Sequence, residues 1–215
     1  DRRMMIRPAA AIGVCMLLVA ACGRDDRRAA DASPPALDST ASPAPAPSAP
    51  IAAPAAADTL TADGLGPARI GMSKADLIAV WGDDANPGAV GGAEPEACDI
   101  FHPARAPKGV SVMIQNGRLT RITLARDAGV KIDRGFGLGD TALAIKQAYG
   151  GAVFSQPHKY QDAPAEDLFA WTRGGSTAYV VDPSARGVRY EIGADGKVGM
   201  IHAGDPSIQL VEGCS

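Results

Sequence analysis

The chain has 215 residues, 24 acids against 21 bases, and a formal net charge of −3. From Asp58 onward 19 acids face 15 bases, which argues against nucleic acid or an anionic membrane surface as a partner. Hydrophobic residues make up 46% of the chain, enough for one compact core or two small ones.

Arg2, Arg3 and Arg7 precede an apolar run from Ala9 to Ala21. The run is too short to span a bilayer, which takes about 20 residues, and reads instead as a signal peptide over 1–21. It closes Leu18-Val19-Ala20-Ala21-Cys22, and small residues before a cysteine resemble the bacterial lipobox. That resemblance implies cleavage before Cys22 and a lipid on it. Gly23, not Asp, follows Cys22, which by the same resemblance implies an outer-membrane anchor with the folded part in the periplasm.

The stretch 22–58 is rich in Ala, Pro, Ser and Asp. Pro34, Pro35, Pro43, Pro45, Pro47, Pro50 and Pro54 break any helix, and aromatic residues are absent. It is predicted to be a disordered, semi-rigid tether.

Ile70-Gly71-Met72-Ser73 opens a short helix ending at Trp81-Gly82. Ser73 and Asp76 have capping-box spacing, Leu77 and Trp81 share a face, and Gly82 suits a C-cap. The stretch recurs 68 residues later as Leu138-Gly139-Asp140-Thr141, ending at Tyr149-Gly150. A fixed offset over many positions suggests internal duplication. The expected fold class is α+β: two tandem helix-plus-antiparallel-sheet units over 59–126 and 127–215.

In unit one, 98–102 reads as a strand, and Asn116-Gly117 joins strands 110–115 and 118–124. A two-residue loop pairs Ile114 with Leu119 and Val112 with Arg121, mixing the faces. A three-residue loop with a glycine bulge puts Val110, Val112, Ile114, Ile122 and Leu124 on one face, and this register is preferred. The opposite, open face then carries Ser111, Met113, Gln115, Leu119, Arg121 and Thr123. Unit two repeats the order, with strands at 168–172 and 188–192, a turn at Asp195-Gly196, and an additional strand expected at Thr177 to Val181. With Cys15 removed and Cys22 lipidated, Cys98 and Cys214 remain as a disulfide pair in an oxidising compartment.

Lipobox, tether and Ile70-Gly71-Met72-Ser73 with a helix ending in Gly82 resemble the SmpA/OmlA (BamE) outer-membrane lipoprotein family. The duplicated form resembles the β-lactamase inhibitor protein fold. Pro157-His158-Lys159-Tyr160 and Val211-Glu212-Gly213-Cys214 resemble proteobacterial lipoproteins labelled "lectin". These resemblances imply a binding role, toward an envelope protein or a glycan.

No Gly-x-Ser-x-Gly, His-Glu-x-x-His, Cys-x-x-Cys or phosphate loop occurs, and the histidines lack ligand spacing. No cofactor, metal or catalytic residue is expected. The expected function is a non-enzymatic, lipid-anchored module that recognises a protein partner, with carbohydrate binding as the alternative. Candidate ligand-binding residues are Gln115, Arg121, Arg189 and Glu191 on the open face, His158, Lys159 and Tyr160 at its rim, and the Phe169–Trp171 pair.

Overall fold

The structure is a computed structural model that describes residues 58–89, 91–174 and 179–215. The expected signal peptide, Cys22 and nearly all of the tether lie outside the described residues.

Both helices form where the repeat places them. The first, α1, spans Lys74–Trp81 and buries Leu77 and Trp81. Ser73 Oγ accepts from Asp76 N at 3.1 Å and donates to the Asp76 carboxylate at 2.7 Å. The cap is therefore closed side chain to side chain, not by Asp76 reaching the Ser73 backbone. The second, α2, spans Ala142–Tyr149, is capped by Thr141 and buries Ile145. Two helices of eight residues each are marginal alone and depend on what they cover.

They cover β-structure that is more extensive and differently joined than expected. A small sheet combines β1 (Thr59–Thr61), β2 (Gly64–Leu65), β3 (Ala68–Arg69) and β7 (Lys131–Ile132). The large sheet takes β4 (Cys98–Phe101), β5 (Val110–Gln115), β6 (Arg118–Leu124), β8 (Phe154–Pro157), β9 (Glu166–Trp171), β10 (Gly187–Ile192) and β11 (Val198–Gly204) in the order β4-β5-β6-β11-β10-β9-β8. Its centre is the antiparallel pairing of β6 with β11, which sets Leu124 against Ile201 and Ile122 against Ala203.

This overturns the expected fold class. The protein is mostly β, in two sheets with two short helices, and is not two tandem helix-plus-sheet units. The cause is edge satisfaction. Separate units would each end on an unpaired strand, β6 or β11, and pairing the two removes both exposed edges. The duplication survives inside the shared sheet. Ser73 bridges to Arg118 and Thr141 to Lys197, so each helix start is pinned to its own hairpin.

The first hairpin combines the two registers considered. Its tip is a two-residue loop, with Ile114 opposite Leu119 and positive φ at Asn116 and Gly117. A shift between Met113 and Ile114 then resets the ladder, so that Val112 faces Ile122 and Val110 faces Leu124. The bulge keeps Leu119 in the core with Ile114, not on the opposite face. The additional strand of the second half is β8, at the sheet's far edge. Of the strand expected at Thr177 to Val181, Thr177 and Ala178 lie outside the described residues, and Tyr179 to Val181 have no strand pairing.

One face of the large sheet meets the helices and the small sheet. Leu77, Val112, Ile122, Leu124, Ile145, Leu168, Tyr190 and Ile201 belong to that core. The other face is not open. At Gly204 the chain leaves β11, and a Cβ there would stand 2.1 Å from Thr120 O. Only glycine permits this approach. The chain then makes a 3₁₀ turn (Pro206–Gln209), capped by Asp205, which lies across the sheet. Its end is tied down by the disulfide Cys98–Cys214.

Candidate functional site

Alternation along four strands aims a set of polar side chains at the face beneath the C-terminal cap. They are Arg121 and Thr123 from β6, Asp167 from β9, Arg189 and Glu191 from β10, and His202 from β11. Arg189 is 1% exposed and Arg121 5%. Buried guanidinium groups need acceptors, and the cap supplies them. Arg121 donates to Ser207 O at 3.1 Å and Leu210 O at 2.9 Å, and Arg189 donates to Ile208 O at 3.0 Å.

Glu191 is the hub. It accepts from Arg189 Nη2 at 3.1 Å and from His158 Nε2 at 3.3 Å, with His202 Nε2 at 3.5 Å. His158 Nδ1 accepts from Tyr160 N, which leaves Nε2 as the donor to Glu191 in the neutral ring. His202 Nδ1 lies 3.0 Å from Thr123 Oγ1. The hydroxyl donates there when His202 Nε2 carries the proton.

The hydrogen bond from His202, opposed by burial and joined by the bond from His158, holds the Glu191 carboxyl down at about 2. Burial pushes His202 down to about 3, so its ring is uncharged at neutral pH. Burial, with the Arg189 charge second, brings Arg121 down to about 10. Asp167 is pushed up by burial against the pull of Arg189. Neither Glu191 nor His202 changes protonation near neutral pH. The arginine bonds to the carbonyls of the 3₁₀ turn hold the cap in place. Among the described residues Arg121 Nε, Arg189 Nε, Asp167 Oδ1 and Ser207 Oγ have no hydrogen-bond partner, although Arg189 Nε is 3.5 Å from Asp167 Oδ1 as an ion pair.

The candidate residues are thus distributed unlike the expectation. Arg121, His158, Arg189 and Glu191 do come together, but the first three are buried and Glu191 is half-buried. The expected open concave surface is corrected, because the 3₁₀ turn and the tail occupy it. Lys159 and Tyr160 are exposed at the rim, where Lys159 pairs with Glu212 at 2.5 Å and the Tyr160 hydroxyl bonds the same carboxylate. Phe169 and Trp171 stack at 6.5 Å and pack on Ile208 in a satellite core. Trp171 is 7% exposed and offers no open stacking face. Gln115 is half-buried at the end of β5, opposite Cys98, and has no bond to the network among the described residues.

Sequence reasoning placed Thr123 on the face of Arg121 without naming it a candidate, and missed Asp167, His202 and Ser207. Asp167 and His202 were legible in principle, since Asp167 alternates with Phe169 and Trp171, and His202 is the cross-strand partner of Thr123. Among the described residues no group of three or more His, Cys, Asp or Glu is placed to hold a metal ion.

No protein-family profile matches the chain, and no curated protein matches it. Two solved structures are similar to it. One is an extracellular protein containing an SCP domain from Bacillus anthracis str. Ames, with 11% identity and a TM-score of 0.42 over 73% of this chain and 48% of the other. The chain thus spans about half the length of that protein. The other is a DUF4309 family protein (YjgB) from Bacillus subtilis subsp. subtilis str. 168, with 16% identity and a TM-score of 0.41 over 69% of this chain and 88% of the other. The resemblances to the SmpA/OmlA (BamE) family, to the inhibitor-protein fold and to the lectin-labelled lipoproteins are withdrawn. The shared, mostly-β sheet is not the helix-plus-sheet unit they imply.

Proposed function

We propose that this chain is a non-enzymatic, lipid-anchored module of the cell envelope that recognises a protein partner through the rim of its C-terminal cap. One observation carries the reading. Tyr160, Tyr179 and Val181 are 62%, 63% and 79% exposed, and all three flank the cap. Glu212 holds the Tyr160 hydroxyl, while the Gln209 amide brackets Val180 by bonding both its N and its O at 2.8 Å. Large apolar side chains fixed in exposed positions suit a protein interface, where tyrosine is a frequent anchor. His202 is buried, Glu191 is half-buried, and the two are bonded to each other, which supports a binding role over a catalytic one.

The test is capture by the immobilised chain from an envelope extract, compared with the Tyr160→Ala/Tyr179→Ala variant and with a glycan array. Loss of a defined protein band in the variant is expected. Equal capture by both, or glycan binding without protein capture, overturns the reading. The anchor is tested separately by fatty-acid labelling, which Cys22→Ser is expected to abolish. Density fractionation is expected to place the labelled protein with the outer membrane.

A further inference from the structure

Where β5 begins, β6 ends and β11 begins, the large sheet carries a groove of about 420 Å³. Its lining includes His102, Ser111, Arg126 and Met200, with glycine backbone at Gly109 and Gly199. None of these residues belongs to the cap or its rim.

Three polar groups there are uncommitted. Among the described residues the Arg126 guanidinium makes no hydrogen bond or ion pair. Its neighbour Asp127 would be the obvious partner, but Lys108 takes that carboxylate. The Ser111 hydroxyl has no hydrogen bond among the described residues either. His102 is fixed by its backbone, donating from N to Asp84 Oδ1 at 3.2 Å and accepting at O from Ala85 N at 2.8 Å. Its Nδ1 is buried without a partner among the described residues, so Nε2 is the ring nitrogen left for an incoming group.

The backbone gives an independent sign. Arg126 has φ +57°, and among the described residues the other non-glycine residue with positive φ is Asn116, in the hairpin tip. Asparagine is at ease in the left-handed region, whereas arginine is strained there. The turn is held in that shape by Ala125 N donating to Gly109 O at 3.0 Å and Ala128 N to Ala125 O at 3.2 Å. Arg126 is thus an exposed cation at the groove held in a sparsely populated backbone conformation, a combination that clusters at ligand sites.

We propose that this groove binds a small oxyanion, a carboxylate or phosphate group carried on a compact apolar body. Arg126 supplies the charge, Ser111 Oγ and His102 Nε2 supply hydrogen bonds, and Val110, Ala125 and Met200 form the apolar wall. A guanidinium forks onto two oxygens of either group, so the cation alone does not choose between them.

The test is a titration of the ¹⁵N-labelled chain, followed by amide shifts, with inorganic phosphate and separately with butyrate, against chloride at equal ionic strength. Saturable shifts at Ser111, Arg126 and Gly199 are expected with at least one of the two, and which one saturates identifies the group. Arg126→Gln is expected to weaken that binding by about tenfold. Arg126→Gly is expected to lose it equally while leaving Tm unchanged or raised, because glycine adopts this φ freely. Shifts that stay linear with both anions, or wild-type affinity retained in both variants, overturn the proposal.

Discussion

Arg121 and Arg189 grip one turn from two strands: Arg121 donates to Ser207 O and Leu210 O, and Arg189 donates to Ile208 O between them. Their charges repel, and Glu191 and Asp205 offset the repulsion.

The pair is therefore structural, and its removal is costly. Arg189→Ala leaves the buried Asp167 and the half-buried Glu191 without their cation, which costs about 3–5 kcal/mol. Arg121→Ala removes two charge-assisted bonds to carbonyls, at about 1–3 kcal/mol. Chemical denaturation is expected to show the larger loss for Arg189→Ala, with Tm down on the order of 10 °C. An unmoved midpoint for Arg189→Ala would show that the cap is held by other contacts.

The disulfide is the cap's second fastening. It closes a separation of 116 residues between Cys98 and Cys214. In the chain-entropy picture that stabilises by up to ~4–5 kcal/mol. Cys98→Ser/Cys214→Ser is expected to lower stability by part of that. Hydrogen exchange should quicken first at residues 206–214 and much less in β6 and β11. Uniform quickening throughout the sheet would refute a local role.

Acid weakens the fold through two groups. His202 has a folded pKa of about 3 against 6.5. Its stabilisation is complete above pH 6.5 and is lost as pH falls toward 3. Glu191 has a folded pKa of about 2 against 4.5, so its share is complete above pH 4.5 and is lost as pH falls toward 2. Asp167, raised by burial, acts in the opposite sense, because its stabilisation belongs to the protonated form present at low pH. Between pH 6.5 and 4.5 His202 contributes a slope of roughly 1.4 kcal/mol per pH unit for the one proton, which Asp167 opposes to the extent that it titrates there. His202→Gln is expected to flatten stability against pH in that window. An unchanged slope would assign the acid sensitivity elsewhere.

Much of the local structure was legible in the residues. Ser73 and Thr141 mark both helix starts, Asn116-Gly117 marks the hairpin tip, and Cys98 pairs with Cys214. These depend on neighbours in sequence or on counting. The pairing of β6 with β11 depends on which edges meet in space, and neither strand carries a signal naming its partner. Strands of two residues, such as β2 and β7, leave no period to detect. The exposure of Arg121 and Arg189 was misjudged for a related reason. Alternation tells which side chains share a face, but not what lies across it. Backbone carbonyls made the cover, and carbonyls have no sequence signature.

The β6–β11 seam also sets a timetable. Leu124 must wait for Ile201, 77 residues further along, before its strand has a neighbour on that side. A chain emerging amino end first carries β4, β5 and β6 with a bare, apolar-flanked edge until nearly the whole protein has appeared. Contacts this distant in sequence form slowly. A fragment stopped near residue 126 would keep that edge permanently, and would pair with its own copies in place of the missing half.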